Sequence, residues 1–102
     1  MKRVVVLEWE AQEDLIELYE YIAGRSGERV AAGYVERIHA WCDSLETFPE
    51  RGSHRDDLSP GLRLAGFERR ATVAFRVEEQ QVTVFRILYG GQSVEDAFPA
   101  EG

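Results

Sequence analysis

The apolar residues of this chain keep two different rhythms, and the change between them bounds the folds open to it. In the first half Ala31, Tyr34/Val35, Ile38, Trp41/Cys42 and Leu45 recur at helical spacing, which puts them on one stripe of an α-helix. In the second half Ala71, Val73, Phe75 and Val77 alternate with Arg70, Thr72, Ala74 and Arg76, the two-residue period of a strand. A chain that runs helices first and strands afterwards is predicted to form a two-layer α+β domain.

The remaining elements fit that frame. Val4 to Leu7 is β-branched and apolar throughout and reads as a strand buried on both faces. Ala11, Leu15, Leu18/Tyr19 and Ile22 predict a helix at about 9–24, with Glu10, Glu13 and Asp14 where the first turn favours acids. Gly24 is its expected stop. Ser26 is the expected N-cap of a second helix at about 27–47, which ends before Pro49. Strands follow at 62–67, 70–77 and 82–89, the last apolar on both faces, hence interior, and ended by Gly90-Gly91. The expected order is βααβββ, a helical hairpin packed on an antiparallel sheet. One domain is expected over residues 1–91, and residues 92–102 form a C-terminal tail, flexible or docked.

The stretch Phe48 to Arg63 joins the two rhythms. It holds two of the chain's three prolines and reads as a loop. Loops of this length are functional or disordered; Leu58 and the Pro60-Gly61 turn just before a strand favour an ordered, functional one.

Composition narrows the function. The net charge of -7 argues against a general nucleic-acid binder, whose affinity rests on phosphate neutralisation. The charge is uneven: Glu8, Glu10, Glu13, Asp14, Glu17 and Glu20 crowd the first helix, while Arg51, Arg55, Arg63, Arg69, Arg70, Arg76 and Arg86 lie in the second half. No apolar run nears the ~20 residues that span a membrane, and the start reads as a strand rather than a signal peptide. Cys42 is the only cysteine. It is expected as a buried thiol and fits a reducing cytoplasm.

Few residues stand out as chemical. His39 and His54 lack the spacing of metal ligands, there is no phosphate-cradling glycine loop, and neither a metal nor a cofactor is expected. Arg86 is read on one strand face with Val82, Val84 and Leu88. There it either binds an anion on the concave side of the sheet or pairs with an acid from the loop or tail. Arg63 carries the same two readings. Tyr89 is either a core or rim aromatic, or a phenol near two arginines that assists phosphate chemistry.

Ala11-x-x-Asp14-Leu15-x-x-x-Tyr19-x-Tyr21-Ile22-Ala23, Leu45-x-x-Phe48-Pro49-x-x-Gly52-x-x-Arg55-x-Asp57-Leu58-x-Pro60-Gly61-Leu62-Arg63 and Arg86-Ile87-Leu88-Tyr89-Gly90-x-Gln92 together resemble the RelE/ParE toxin superfamily, most closely its ParE branch. The resemblance covers most of the chain and implies the same βααβββ fold. It also implies a ParD-like antitoxin partner, contact with operator DNA only through that antitoxin, a cytoplasmic setting and DNA gyrase as target. RelE-like relatives instead cleave mRNA, and a further alternative is a partner-binding co-repressor that has lost toxicity. Arg63 and Arg86 match superfamily arginine positions, and Tyr89 stands where ParE relatives often carry histidine. Arg55, Arg63, Arg86 and Tyr89 are therefore the candidate target-binding residues, and Arg63, Arg86 and Tyr89 the catalytic candidates if the chain is an endonuclease. Gly91 departs from the pattern, which usually has arginine there. The RelE lysines are missing as well, since Lys2 is the chain's one lysine. Both departures favour inhibition of a protein target over nuclease chemistry.

Overall fold

In the computed structural model residues 3–99 are described. Lys2 and the end of the expected tail lie outside them. The chain forms β1 (Val4–Leu7), α1 (Trp9–Ser26), α2 (Glu28–Asp43), a short 3-10 turn (Ser44–Glu46), β2 (Ser53–His54), β3 (Leu62–Phe67), β4 (Ala71–Val77), β5 (Gln81–Tyr89) and α3 (Val94–Ala97). The strands make one sheet in the order β1-β5-β4-β3-β2, with the α1–α2 hairpin packed on one face.

The α+β order is the expected one, but β1 is not buried on both faces, since Val4 and Val6 are exposed, and three further details differ. The sheet is mixed rather than wholly antiparallel, because β1 pairs in parallel with β5. Strands β2 to β5 follow one another through turns, which reverse direction each time. β1 reaches β5 only by a crossover through the helices, and such connections yield parallel pairs. Second, α1 runs through Gly24 and includes Ser26; the junction is Gly27, at φ 96°, which ends α1 and begins α2. Ser26 is thus not a cap. Third, the segment after Gly91 contains α3, whose N-cap Ser93 accepts from the Asp96 N–H.

The core lies between the hairpin and the sheet. Leu18 and Ile22 of α1 and Ala31, Tyr34, Ile38 and Cys42 of α2 meet Val73 and Phe75 of β4 and Val82, Val84 and Ile87 of β5. Ile38, Leu45 and Phe75 are fully enclosed, and each such side chain contributes about 1.5–3 kcal/mol of hydrophobic stabilisation. Trp41 packs edge-on to both Phe67 and Phe75, at 6.5 and 6.3 Å. Cys42 is fully buried, as expected, and burial pushes its thiol up to about 12, so it stays protonated and unreactive.

The long loop is ordered by its own hydrogen bonds. Pro60 and Gly61 occupy the centre of a type II turn closed by the Leu62 N–H on the Ser59 carbonyl, 3.0 Å, with Gly61 at φ 77°. The Asp56 carboxylate accepts the Gly61 N–H at 2.8 Å. Gly52, at φ 76°, lies so close to β3 that a Cβ would fall 2.2 Å from the Leu64 carbonyl oxygen. No other residue fits there without moving the strand.

Candidate functional site

β5 carries most of the sequence-nominated residues, and its register decides where they go. Phe75 of β4 pairs with Val84, but the next residue back, Ala74, pairs with Arg86, so Phe85 is an inserted bulge residue. The bulge breaks the simple alternation. Val82, Val84 and Ile87 join the helix-side core, while Phe85 packs against Phe98 of the C-terminal segment at 6.3 Å and under the Arg76 guanidinium at 4.9 Å. Arg86 therefore does not share a face with Val82 and Val84; beyond the bulge it alternates with Ile87, on the same side as Leu88.

Arg86 instead meets Asp14 of α1. Its Nε and Nη2 donate to the two Asp14 carboxylate oxygens at 2.8 and 3.0 Å. The acid comes from the first helix, not from the loop or tail. Asp14 is buried, and its Oδ2 also accepts the Ile87 N–H at 2.8 Å. The reason is the short length of β1. That strand covers β5 only from Gln81 to Val84, leaving later N–H groups on that edge without a strand partner. Asp14 takes one of them, and the Gln92 side chain takes the next, the Tyr89 N–H, at 2.8 Å. Two side chains thus finish an edge that the backbone leaves open. Hydrogen bonding to Asp14, with Glu10 and Glu17 nearby, raises the Arg86 pKa further above its ordinary value.

The other candidates do not converge with Arg86. Arg63 pairs across β3 with Phe75, and its Nη1 donates to the Arg51 carbonyl at 3.2 Å. Arg63 and Arg86 lie on strands separated by β4, or about 10 Å at ordinary strand spacing, with buried Phe75 on the strand between. Arg55 makes a two-point contact with Asp57 at 2.9 and 3.0 Å and reaches Glu95 of α3 at 3.3 Å. Tyr89 stands at the end of β5, edge-on to Tyr21 at 5.2 Å and to Tyr34 at 6.1 Å.

A cleft of about 310 Å³ opens between α1 and the end of β5. Asp14, Glu17, Tyr21, Tyr89 and Gly91 are among its walls. Its charged lining is acidic, and a Cβ on Gly91 would meet nothing within 4 Å. Among the described residues no group of three or more His, Cys, Asp or Glu is placed to hold a metal ion, and no helix is long and apolar enough to cross a membrane.

Asp14 was hidden in the sequence because an acid near a helix start already has a reason to be there; in α1 it stands beyond the first turn, whose acid is Glu10. The signal that identifies it is its place on the stripe Ala11, Asp14, Leu18, Ile22, all buried. An acid on a core stripe needs a partner inside the protein. Arg70, Tyr21 and Tyr34 were also passed over. The β3–β4 turn that carries Arg70 places Glu68 and Arg69 at φ 46° and 62°. Left-handed conformations cost non-glycine residues roughly 1–2 kcal/mol each. Glu68 is held by a two-point contact with Arg37 of α2, at 2.8 and 3.0 Å.

A two-layer βααβββ domain with this hairpin and sheet order defines a known toxin architecture. The model of the ParE toxin of type II toxin–antitoxin systems, parDE, matches residues 5–94. Toxin ParE3 of Caulobacter vibrioides is 32% identical over 77 residues, which is 76% of each chain. The chain belongs to the ParE toxin family of type II toxin–antitoxin systems. Its fold is shared by the chromosomal ParDE system of P. aeruginosa, with a TM-score of 0.75 and 24% identity over 86% of this chain and 96% of that one. It is shared more distantly by the toxin–antitoxin complex RelBE2 of Mycobacterium tuberculosis, with a TM-score of 0.56 and 16% identity over 88% of this chain and all of that one.

Proposed function

We propose that this toxin acts in a bacterial cytoplasm by binding and inhibiting DNA gyrase, and that a ParD-like antitoxin neutralises it and alone contacts operator DNA. Family membership supports the antitoxin partner, as do neighbours drawn from a ParDE system and a toxin–antitoxin complex; the gyrase target follows from the resemblance to the ParE branch. The Arg86–Asp14 pair is the observation that carries target binding over RNA cleavage. Attack of a 2′-hydroxyl on phosphate needs a cation free to meet the developing charge and a base beside the hydroxyl. Arg86 is occupied by a carboxylate, Arg63 by a backbone carbonyl, and the cleft at Tyr89 carries acids. Arg55, Arg63, Arg86 and Tyr89 remain the proposed target-contact set.

Purified toxin is expected to block supercoiling by purified gyrase, with activity restored by the antitoxin. Undisturbed supercoiling at saturating toxin would overturn the proposal. One observation favours the endonuclease reading: the Tyr89 hydroxyl raises the Arg70 pKa through a hydrogen bond, which puts a cation beside a phenol. New mRNA ends after induction, lost in Tyr89→Phe, would support that reading instead. The reading as a partner-binding protein without toxicity is removed if expression without the antitoxin arrests growth.

A further inference from the structure

On the other side of Tyr89 from the acidic cleft lies a second one, of about 340 Å³, between the hairpin end and the β3–β4 turn. Its charged lining is Arg25, Arg37, Arg70 and Glu68. Glu68 is already engaged by Arg37. Arg25 lies 4.8 Å from the centre of the Tyr21 ring, and among the described residues neither Arg25 nor Arg70 forms an ion pair with a carboxylate. This is a concentration of unneutralised positive charge on a chain whose net charge is -7.

The second observation is independent of charge. Tyr34 lines the same cleft, is 6% exposed, and its hydroxyl is buried without a hydrogen-bond partner. Buried polar groups are rarely left unmatched, and such an orphan calls for an explanation. The ring itself is well placed, edge-on to Phe67 at 5.5 Å, so packing explains the ring and not the hydroxyl. Burial, with Glu68 and Tyr89 nearby, pushes the phenol up to about 12. It therefore stays a donor at neutral pH and does not act as a base. The third observation is apolar. Tyr21 and Val30, two of the large hydrophobics left exposed by the fold, stand at the rim of this cleft.

We infer that the cleft framed by Arg25, Arg70 and Tyr34 is a binding site for a small phosphate monoester bearing an aromatic ring, of the nucleoside monophosphate class. The phosphate oxygens accept from the Arg25 and Arg70 guanidiniums, which have no carboxylate partner among the described residues though Tyr89 lies beside Arg70, and from the orphan hydroxyl, while the ring packs at the rim on Val30 and the edge of Tyr21. Guanidinium is the side chain best shaped for phosphate, and the cleft volume sits at the small end of the ~300–1,000 Å³ range of ligand sites. The site shares only Tyr89 with the proposed target-contact set, so its test does not depend on gyrase.

Calorimetric titration of the full chain with AMP and UMP at low ionic strength tests this, with inorganic phosphate and adenosine run alongside. Either nucleotide is expected to bind with a Kd of about 1 mM or tighter, and phosphate alone or adenosine alone roughly tenfold more weakly, since each offers half of the recognised chemistry. Arg25→Gln and Arg70→Gln are each expected to weaken nucleotide binding about tenfold, whereas Arg29→Gln, outside the cleft, leaves it unchanged. Tyr34→Phe keeps the ring and removes the orphan. It is expected to raise the melting temperature of the free protein and to reduce the nucleotide-induced rise. Any of three outcomes would overturn the inference: no binding of either nucleotide, equal binding of phosphate alone, or unchanged affinity in both arginine variants. A glutamate-rich peptide that binds where the nucleotides do not would overturn it as well.

Discussion

Two of the three arginines that grip carboxylates at two points among the described residues, Arg86 and Arg55, do so in the same way but in different surroundings. Arg86 and Arg55 each offer Nε and Nη2 to the two oxygens of an aspartate, at nearly identical distances. The Arg86 pair joins the first helix to the sheet, with side-chain exposures of 26% and 6%. The Arg55 pair joins the loop to itself and, through Glu95, to α3, with exposures of 32%, 64% and 63%. In water the second arrangement is worth little, because solvent competes for every donor. What differs is the acid: Asp14 is buried, so neither its charge nor the Ile87 N–H that it accepts has ready access to solvent if the pair is broken. Geometry alone does not rank the two; burial does.

Breaking the buried pair is the sharpest way to test that ranking. Asp14→Ala leaves the Arg86 guanidinium and the Ile87 N–H without their acceptor, and is expected to cost about 3–5 kcal/mol in urea unfolding. Asp14→Ala combined with Arg86→Ala is expected to cost less than the two single losses added together, since the second change removes a charge already stranded. A loss below ~1 kcal/mol for Asp14→Ala, the range of exposed pairs, would show that the helix and sheet are joined by packing alone.

Ile38→Ala calibrates the packing contribution in the same layer. Ile38 is fully buried, and its truncation is expected to cost about 2–5 kcal/mol. If the loss stayed within ~0.5 kcal/mol, as at the surface, the core assignment of α2 would be wrong.

At the exposed junction, Arg55→Ala is expected to leave global stability within the range of ordinary surface substitutions. Its readout is local: faster amide exchange in α3, whose Glu95 loses its partner, with exchange in β4 unchanged. Equal effects in both places would show that the C-terminal segment is part of the cooperative core.

Acid titration gives the smallest effect. Hydrogen bonding to Arg55 holds the Asp57 carboxyl below the usual range. Its own backbone N–H, then Arg55 and Ser93, do the same for Glu95. A carboxylate depressed on folding stabilises above its unfolded value, near pH 4, and that contribution fades as pH falls through the depressed value. The amide resonances of α3 are expected to stay constant from neutral pH down to about 4 and to shift below it. A change centred well above pH 4 would show that these carboxylates are not its source.

Much of the architecture was legible in the residues themselves. The switch from helical to alternating spacing predicted helices before strands, and the apolar stripe of α2 named Ala31, Ile38, Cys42 and Leu45 as core, which they are. Pro60-Gly61 predicted its turn because proline and glycine favour the two backbone conformations that a type II turn demands. These are local properties, encoded by neighbours a few residues apart. What only the tertiary structure decided is which distant groups meet. The Phe85 bulge, the parallel placement of β1, the contact between Asp14 and Arg86 and the cleft around Tyr34 all join residues far apart in the chain. Each depends on where a strand ends or shifts register, and a one-residue shift turns a side chain to the other face. The sequence alone determined the layers of this toxin. The packing of those layers decided that its most suspicious arginine is anchored by an acid on the first helix.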